Sequence, residues 1–227
     1  MPIDYASISA NHDYEAMLVN VTRKIIVPLY EDPTRFIFEL LQNAEDALSK
    51  RGVRGSRTVS FELSSSGLKV SHFGKPFDES NVRAICSVGD SSKQEEVTAI
   101  GKFGIGFKSV YSLTERPEVH SGEEHFAIKD FVHPVEVQPM PLDVGETAFW
   151  FPFKPDIGDT PTKIQSALEN LPASSLLFLK HINEIRWSVE DGESEEIITE
   201  AVTQLSAAIE ELNQVLKLLE RTEKANV

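Results

Sequence analysis

The sequence lacks several features that would point to particular classes of protein. Its 227 residues contain a single cysteine, Cys86, which excludes an internal disulfide and a cysteine-based zinc site. No apolar run approaches the roughly 20 residues needed to cross a bilayer. Residues 1–17 have neither the basic region nor the apolar core of a secretory signal. We therefore expect an intracellular protein, cytoplasmic or nuclear, without a membrane anchor.

Basic residues are scarce relative to acidic ones. The sequence has 22 Lys and Arg against 36 Asp and Glu, which gives a formal net charge of -14. A surface of this sign repels phosphate backbones, so direct binding to DNA or RNA is disfavoured, although the composition still allows a local basic patch.

Two common catalytic motifs are also missing. The P-loop pattern Gly-x-x-x-x-Gly-Lys-Ser/Thr does not occur, which argues against a P-loop nucleotide site. Ser109 and Ser112 have neither a Gly-x-Ser-x-Gly context nor an adjacent histidine. Serine-hydrolase chemistry is therefore unsupported.

The hydrophobic periodicity alternates between helix and strand patterns along most of the chain. Helices are predicted at 12–30, 34–50, 78–87, 103–113 (beginning as a turn) and 164–171, and strands at 59–63, 68–72, 118–120, 126–128, 148–153 and 182–189. Most of these strands follow one another as hairpins. This order predicts an α+β fold, a mixed, mainly antiparallel sheet backed by helices on one face.

An acidic break at 190–196 precedes a different pattern. Between residues 198 and 219, apolar side chains recur at alternating spacings of three and four, which is a heptad seam. We therefore divide the chain into a domain at 1–192 and a heptad-patterned helix at 193–227. This helix either packs on its own domain or forms a coiled coil with a partner, and the pattern favours neither.

The helix predicted at 34–50 carries polar residues inside an apolar pattern. Glu39 and Asn43 are four residues apart and therefore share a helical face, which Asp46 extends. A carboxylate can act as a general base towards water, and an Asn carbonyl oxygen suits Mg²⁺. The polar side of an ordinary amphipathic helix would explain an isolated pair of this kind. The apolar flanking positions and the glycine motif downstream favour a nucleotide site.

The second motif is the glycine-rich run at 100–109, IGKFGIGFKS. Gly104 and Gly106 flank Ile105 just before a helix, so backbone amides can approach a ligand closely and attract an anion. Lys102 and Lys108 add positive charge. A lone Gly-x-Gly is weak evidence, but the run that includes Phe103 and Phe107 is far more specific.

Taken together, these motifs resemble those of the Hsp90-type ATPase family, the Bergerat fold shared by gyrase, Hsp90, histidine kinases and MutL. FELLQNAEDA at 38–47 resembles the first motif of the family, and IGKFGIGFKSVY at 100–111 resembles its glycine-rich motif. GDSSK at 89–93 and LLFLKHINEIRW at 176–187 are similar to strings in the Hsp90-like domains of sacsin and related large proteins. The resemblance covers about residues 12–190.

The resemblance implies a two-layer Bergerat sandwich and a role for each matching residue. Glu39 would position or deprotonate the attacking water, Asn43 would hold Mg²⁺, and Asp46 and Ala47 would contact the nucleotide. Thr147 in GETAFWF matches a late threonine of the family near the adenine. The phosphates would be held by Gly101, Lys102, Phe103, Gly104, Ile105, Gly106, Phe107 and Lys108, and the lid would include Ser91, Ser92 and Lys93.

One departure concerns the second motif of the family, Asp-x-Gly-x-Gly, whose Asp accepts a hydrogen bond from the adenine amino group. Here His72 stands at the Asp position and Pro76 at the second glycine, whereas Gly74 is retained and Phe77 lies where an apolar residue contacts the base. A neutral imidazole accepts a hydrogen bond only in the right tautomer. Adenine recognition is therefore retained, altered or weakened.

The function implied by the resemblance is ATP binding with slow, Mg²⁺-dependent hydrolysis, acting as a conformational or chaperone-like switch on a protein partner or client. In this family ATP often drives dimerisation, so a homodimer through helix 198–219 is a further expectation. Three alternatives stay open. They are a non-hydrolysing nucleotide-sensing or protein-interaction module, a histidine kinase (disfavoured because the C-terminal helix contains no histidine), and a structural scaffold.

Overall fold

A computed structural model describes residues 3–9, 33–51, 55–87, 106–171, 175, 179–190 and 196–197. Three predictions fall outside the described residues. They are the helix at 12–30, the helix at 198–219 and the domain boundary at 192. Eight of the predicted site residues also fall outside them: Ser91, Ser92, Lys93, Gly101, Lys102, Phe103, Gly104 and Ile105. Their assignments stay predictions.

The described elements follow one another as helices, hairpins and one short 3₁₀ helix. The helices are α1 (Tyr5–Ser9), α2 (Pro33–Arg51), α3 (Glu79–Cys86), the 3₁₀ helix (Gly106–Ser112) and α4 (Thr160–Glu169). The strands are β1 (Thr58–Leu63), β2 (Gly67–His72), β3 (Glu118–Ser121), β4 (Glu124–Lys129), β5 (His133–Glu136), β6 (Thr147–Pro152), β7 (Glu184–Val189) and β8 (Glu196–Ile197). The α+β class predicted from the sequence is confirmed.

The strands form one mixed sheet in the order β5-β4-β3-β6-β2-β1-β7-β8. All neighbouring pairs are antiparallel except β1 and β7, which run parallel. The hairpin predicted between 59–63 and 68–72 is confirmed, and Ser64 closes it with a hydrogen bond from its amide to the Gly67 carbonyl at 2.9 Å. The sequence patterns did not predict the short elements α1 and β5.

The register separates an apolar face of the sheet from a polar one. Val59, Phe61 and Leu63 of β1 are buried in the hydrophobic core, whereas the alternate residues of the same strand face the other side. The apolar stripe of α2 belongs to this core and comprises Phe36, Ile37, Leu40, Leu41, Ala44 and Leu48. Helix α2 therefore lies over the apolar face and also contacts the 3₁₀ helix and α4.

Helix α2 is tied to the segment that enters β7 by the carboxylate of Glu45. This carboxylate accepts hydrogen bonds from the backbone amides of Lys180, His181 and Ile182, at 2.7 to 3.0 Å, and pairs with the His181 ring. Burial acts to raise the Glu45 pKa, but these hydrogen bonds outweigh it and leave the pKa below its ordinary value. The helix is thus fixed to the segment that leads into β7.

None of the helices in the described part of the chain is both long and apolar enough to span a bilayer. The intracellular location inferred from the sequence stays a prediction.

Candidate functional site

Helix α2 places the predicted first-motif residues along one stripe. Glu39 and Ala47 are half-buried, and Asn43 between them is exposed. Eight residues separate Glu39 from Ala47, which corresponds to about 12 Å along the helix axis at 1.5 Å per residue. The site therefore has two ends, a carboxylate end at Glu39 and an alanine end at Ala47.

At the carboxylate end, Glu39 lies directly against Gly106. A Cβ atom added to Gly106 would come within 2.9 Å of the Glu39 Cδ and closer still to its Oε2. Only glycine leaves room for the carboxylate in this position. The first motif and the glycine-rich motif, about sixty residues apart in sequence, are thus in contact. Phe107 follows Gly106 and is buried, with its ring centroid 5.8 Å from that of Phe149.

The environment of Glu39 suits a general base. Burial raises the pKa of its carboxyl above the ordinary value, and the nearby Arg35 opposes that shift. A carboxylate with a raised pKa binds a proton more readily than a solvated one, which makes it a better acceptor from water near neutral pH.

At the alanine end, three adjacent strands bring polar side chains into one row. His72 of β2 pairs with Thr147 of β6, which pairs with Ser121 of β3. The Ser121 and Thr147 hydroxyl oxygens are 2.6 Å apart, and the Phe77 amide donates to the Ser121 Oγ at 3.0 Å. All three row residues are buried. Thr147 is therefore held in a fixed position by a neighbour that the sequence patterns did not identify.

The loop after β2 packs against the end of α2. A Cβ at Gly74 would lie 2.5 Å from the Ala47 Cβ and 2.8 Å from its carbonyl carbon, and the Lys75 amide donates to the Ala47 carbonyl at 2.8 Å. The Phe77 ring is half-buried, with its centroid 6.0 Å from that of Phe149. Four of the predicted nucleotide-binding residues thus lie in one corner of the fold: Ala47, Gly74, Phe77 and Thr147.

His72 is buried in this corner and its tautomer follows from its contacts. Its Nδ1 accepts a hydrogen bond from the Gly74 amide at 3.0 Å. Burial, helped by the charge of Arg51 and opposed by Glu146, lowers the His72 pKa to about 4. The imidazole is therefore neutral at pH 7 and carries its proton on Nε2. Any further hydrogen bond from this ring must be donated.

Arg51, at the end of α2, is a second residue that the sequence patterns missed. Its Nη1 donates to the Phe73 carbonyl, between His72 and Gly74. This contact fixes the loop that carries the altered second motif to the helix that carries the first. A basic residue in the last turn of a helix is common, so its identity alone gave no signal.

Lys108 was predicted to add charge beside phosphates, and the structure places it in the core. Its side chain is 1% exposed, and its Nζ donates to the carbonyls of Phe131 at 2.5 Å and Ile85 at 2.7 Å. Burial lowers its pKa to about 8, opposed by the nearby Cys86. Phosphate binding by Lys108 would require it to exchange both carbonyl partners, and this role stays a prediction.

The described residues contain no group of three or more His, Cys, Asp or Glu side chains arranged to hold a metal ion. Asn43, the predicted Mg²⁺ ligand, is exposed at the centre of the α2 stripe, and Asp46 is half-buried one turn further on. Because Mg²⁺ keeps most of its waters and takes few protein ligands, this arrangement is compatible with a site completed by the substrate.

Comparison with known proteins gives partial matches to the chain. Residues 69–135 match the family model described as the Sacsin domain. Protein NO VEIN of Arabidopsis thaliana is 42% identical over 98 residues, which cover 43% of this chain and 4% of that protein. Sacsin of Homo sapiens is 32% identical over 117 residues, covering 46% of this chain and 3% of sacsin.

A third match extends further along the chain. The chaperone protein HtpG of Sulfurovum sp. (strain NBC37-1) is 25% identical over 177 residues, which cover 65% of this chain and 28% of HtpG. The chain therefore spans only a small part of each of these relatives. The Sacsin domain match and the three similarities confirm the predicted resemblance to sacsin-type Hsp90-like domains.

Proposed function

We propose that this domain binds ATP and hydrolyses it slowly in the presence of Mg²⁺. The observation that carries the proposal is the contact between Glu39 and Gly106. This contact places a half-buried carboxylate beside the glycine-rich turn. The other end of α2 packs against the corner that contains His72, Gly74, Phe77 and Thr147. The similarity to a chaperone protein of the Hsp90 type supports a nucleotide in this position.

The fold supports the same assignment at a finer level. We infer a Bergerat sandwich, because α2 covers the apolar face of a mixed sheet and the two motif regions meet above it. The predicted heptad-patterned helix at 193–227 completes this proposal, as the element through which the domain would form a homodimer or engage another protein.

In this proposal, the two ends of α2 contact different parts of the nucleotide. The base lies near Ala47, Phe77 and Thr147, and the phosphates lie near Glu39 and Gly106. Asn43, midway along the stripe and exposed, would hold Mg²⁺, which would neutralise charge on the phosphates. Backbone amides of the glycine-rich turn would bind phosphate oxygens.

The catalytic step that we assign to this domain is a proton transfer from the attacking water to Glu39. A carboxylate oxygen of Glu39 accepts a proton from the attacking water, and its raised pKa favours that transfer near neutral pH. The product phosphate is then released, and the cycle changes the surface that the domain offers to a protein partner or client. The segment with Ser91, Ser92 and Lys93 would act as the lid in this cycle.

One observation favours a second function, a nucleotide-sensing or protein-interaction module without hydrolysis. The residue at the position of the conserved adenine-binding Asp is a neutral histidine whose Nδ1 is already occupied by the Gly74 amide. The corner therefore lacks the carboxylate acceptor of the family motif. Binding through phosphates and Mg²⁺ could persist in such a module while turnover is lost.

The proposal is tested by titrating the protein with ATP, ADP and GTP, with and without Mg²⁺, using calorimetry and thermal unfolding, together with a phosphate-release assay. Saturable, Mg²⁺-enhanced binding of ATP with measurable phosphate release is the expected result. Binding without release would support the sensing module. If no nucleotide binds or changes the unfolding temperature, the site assignment is wrong and a structural scaffold is the better description.

A further inference from the structure

The face of the sheet opposite α2 contains a cleft that the proposed nucleotide site does not use. Its volume is about 610 Å³, and its floor is formed by the outward residues of β1, β2 and β7. Ser60 and Ser71 lie on this floor, whereas their strand neighbours Val59 and Val70 point into the core. The cleft and the nucleotide site are therefore separated by the thickness of the sheet.

Two serine hydroxyl groups line the floor of the cleft. Ser60 and Ser71 are directly opposite each other in the β1–β2 register. Ser71 is only 4% exposed as a residue, and both side chains line the cleft. A serine hydroxyl can donate one hydrogen bond and accept two, so these two groups are suited to a polar ligand in the cleft.

The charges around the floor favour a cation. Four carboxylates line the cleft, from Glu62, Asp143, Glu146 and Glu184, against the two cations of Lys69 and Arg186. Both cations are already paired: the Lys69 Nζ lies 2.9 Å from Glu62 Oε1 and 3.7 Å from Glu146 Oε1, and the Arg186 Nε lies 2.8 Å from Glu184 Oε1. The excess of carboxylates and the net charge of -14 attract a positively charged group.

The rim of the cleft includes Asp143 and Glu146, the two ends of a turn that carries an exposed apolar residue. The turn from Asp143 to Glu146 is closed twice, by a hydrogen bond from the Glu146 amide to the Asp143 carbonyl at 3.0 Å and by one from the Asp143 amide to Glu146 Oε2 at 2.9 Å. Gly145 supplies the positive φ of +80° that the turn needs. The turn holds Val144 at its tip, 99% exposed. A fixed and fully exposed apolar side chain is suited to contact with another protein.

We propose that this cleft binds a short basic segment of a partner protein. An ammonium or guanidinium group lies between the hydroxyls of Ser60 and Ser71 and donates to them and to the carboxylate of Glu146. An apolar side chain of the same segment packs on Val144. The volume of the cleft exceeds that of one side chain, which is consistent with several residues of an extended peptide.

The experiment uses the whole chain and three blocked heptapeptides as probes, Gly-Ser-Lys-Leu-Lys-Ser-Gly and the same sequence with both lysines replaced by glutamate or by serine. Binding is measured by calorimetry at low and physiological salt and located by amide chemical shifts. The lysine peptide is expected to bind, more weakly at higher salt, and to shift the amides of Ser60, Ser71 and Glu146. Binding by the glutamate peptide, or equal binding by the serine peptide, would overturn the assignment of a basic ligand.

Two variants test the floor of the cleft, and a third serves as the control. Ser71→Val fills the space and removes one acceptor, Ser60→Ala removes the other with little change in packing, and Ser66→Ala changes an exposed serine in the β1–β2 turn away from the cleft. We expect affinity for the lysine peptide to fall about tenfold in the first two and to stay unchanged in the control. If both floor variants bind like the wild type, or if shifts map to the α2 side, the proposal is wrong.

Discussion

The two ends of α2 each contact a glycine, but they do so through different kinds of atoms. At the alanine end, Gly74 packs on the Cβ and carbonyl carbon of Ala47, which cannot move without moving the helix. At the carboxylate end, Gly106 packs on the tip of the Glu39 side chain, which can rotate. Both contacts require glycine, but one is made with a rigid backbone and the other with an adjustable reactive group.

This difference separates recognition from chemistry. In the corner at Ala47, hydrogen bonds join Ser121 to Thr147 and to Phe77, and another joins Arg51 to the Phe73 carbonyl, so the shape of the corner is set before any ligand arrives. The carboxylate of Glu39 is half-buried, lies against Gly106 and is near the charge of Arg35. We infer that changes at the two ends affect different measurable properties, which the following predictions exploit.

The largest effect is expected from Glu39→Gln at the carboxylate end. The amide retains the size of the side chain but cannot accept a proton from water, so phosphate release should fall about 10²- to 10⁴-fold. Nucleotide affinity should be retained or rise slightly, since the substitution removes a negative charge that would repel the phosphates. Turnover is measured by single-turnover phosphate release and affinity by calorimetry. A measurable rate that is equal in both proteins would show that Glu39 is not the general base. An equal absence of release in both proteins, with nucleotide still bound, would support the sensing module.

Lys108 tests how the carboxylate end is supported, because it follows Gly106 by two residues. Its folded-state pKa of about 8 lies below the ordinary lysine value of 10.5. Between these values the unfolded chain still binds the proton and the folded chain does not, so the lysine makes stability rise with pH across this window, by about 3 kcal/mol in total. Below pH 8 this contribution to the slope is absent.

The measurement is urea unfolding of the wild type and Lys108→Met between pH 7 and 10. The Cys86 thiol, whose pKa burial raises to about 12, acts in the opposite direction above pH 9, but it does so in both proteins. The stability of the wild type relative to the variant should therefore increase with pH. A pH-independent difference would show that Lys108 titrates normally in the fold.

The sequence motifs identified the local parts of this site and missed its long-range parts. The helix predicted at 34–50 agrees closely with α2, and the Glu39 stripe could be read from helical spacing alone. The partnership of Ser121 with Thr147 depends on the register of β3 and β6, strands 26 residues apart, and no local pattern encodes it. The sequence could predict the residues of the base corner through family resemblance, but not the contacts that fix them.

The burial of Lys108 is a second feature that the sequence did not predict. A lysine beside a glycine-rich turn is a natural candidate for a phosphate ligand, and Lys102 and Lys108 looked equivalent in sequence. Only the packing shows that Lys108 is enclosed and that its Nζ contacts the carbonyls of Ile85 and Phe131. Likewise the tautomer of His72 follows from its contact with the Gly74 amide, which sequence alone left open.

The variants Gly74→Ala and Gly106→Ala compare the two ends of α2 most directly, because Gly74 contacts Ala47 and Gly106 contacts Glu39. The new methyl group at position 74 overlaps the backbone of α2, so the free energy of unfolding should fall by about 1–3 kcal/mol. At position 106 the Glu39 side chain can move aside, so stability should fall less while phosphate release is lost. Denaturant unfolding and turnover assays on both variants check this. Equal losses of stability at both positions would contradict a rigid and an adjustable end.

The smallest effect concerns base selectivity at the alanine end. Because His72 uses Nδ1 internally, it can offer only the Nε2 proton to a base, which the amino group of adenine cannot accept but a carbonyl oxygen of guanine can. The wild type should therefore distinguish ATP from GTP poorly. His72→Asp restores an acceptor and should shift the ATP-to-GTP affinity ratio about three- to tenfold towards ATP, the value of one net hydrogen bond. His72→Asn serves as a matched control, since its amide can both donate and accept. Competitive titration with both nucleotides measures the ratio, and a strong ATP preference in the wild type would mean that recognition at this corner depends on Thr147 and Ser121 rather than on His72.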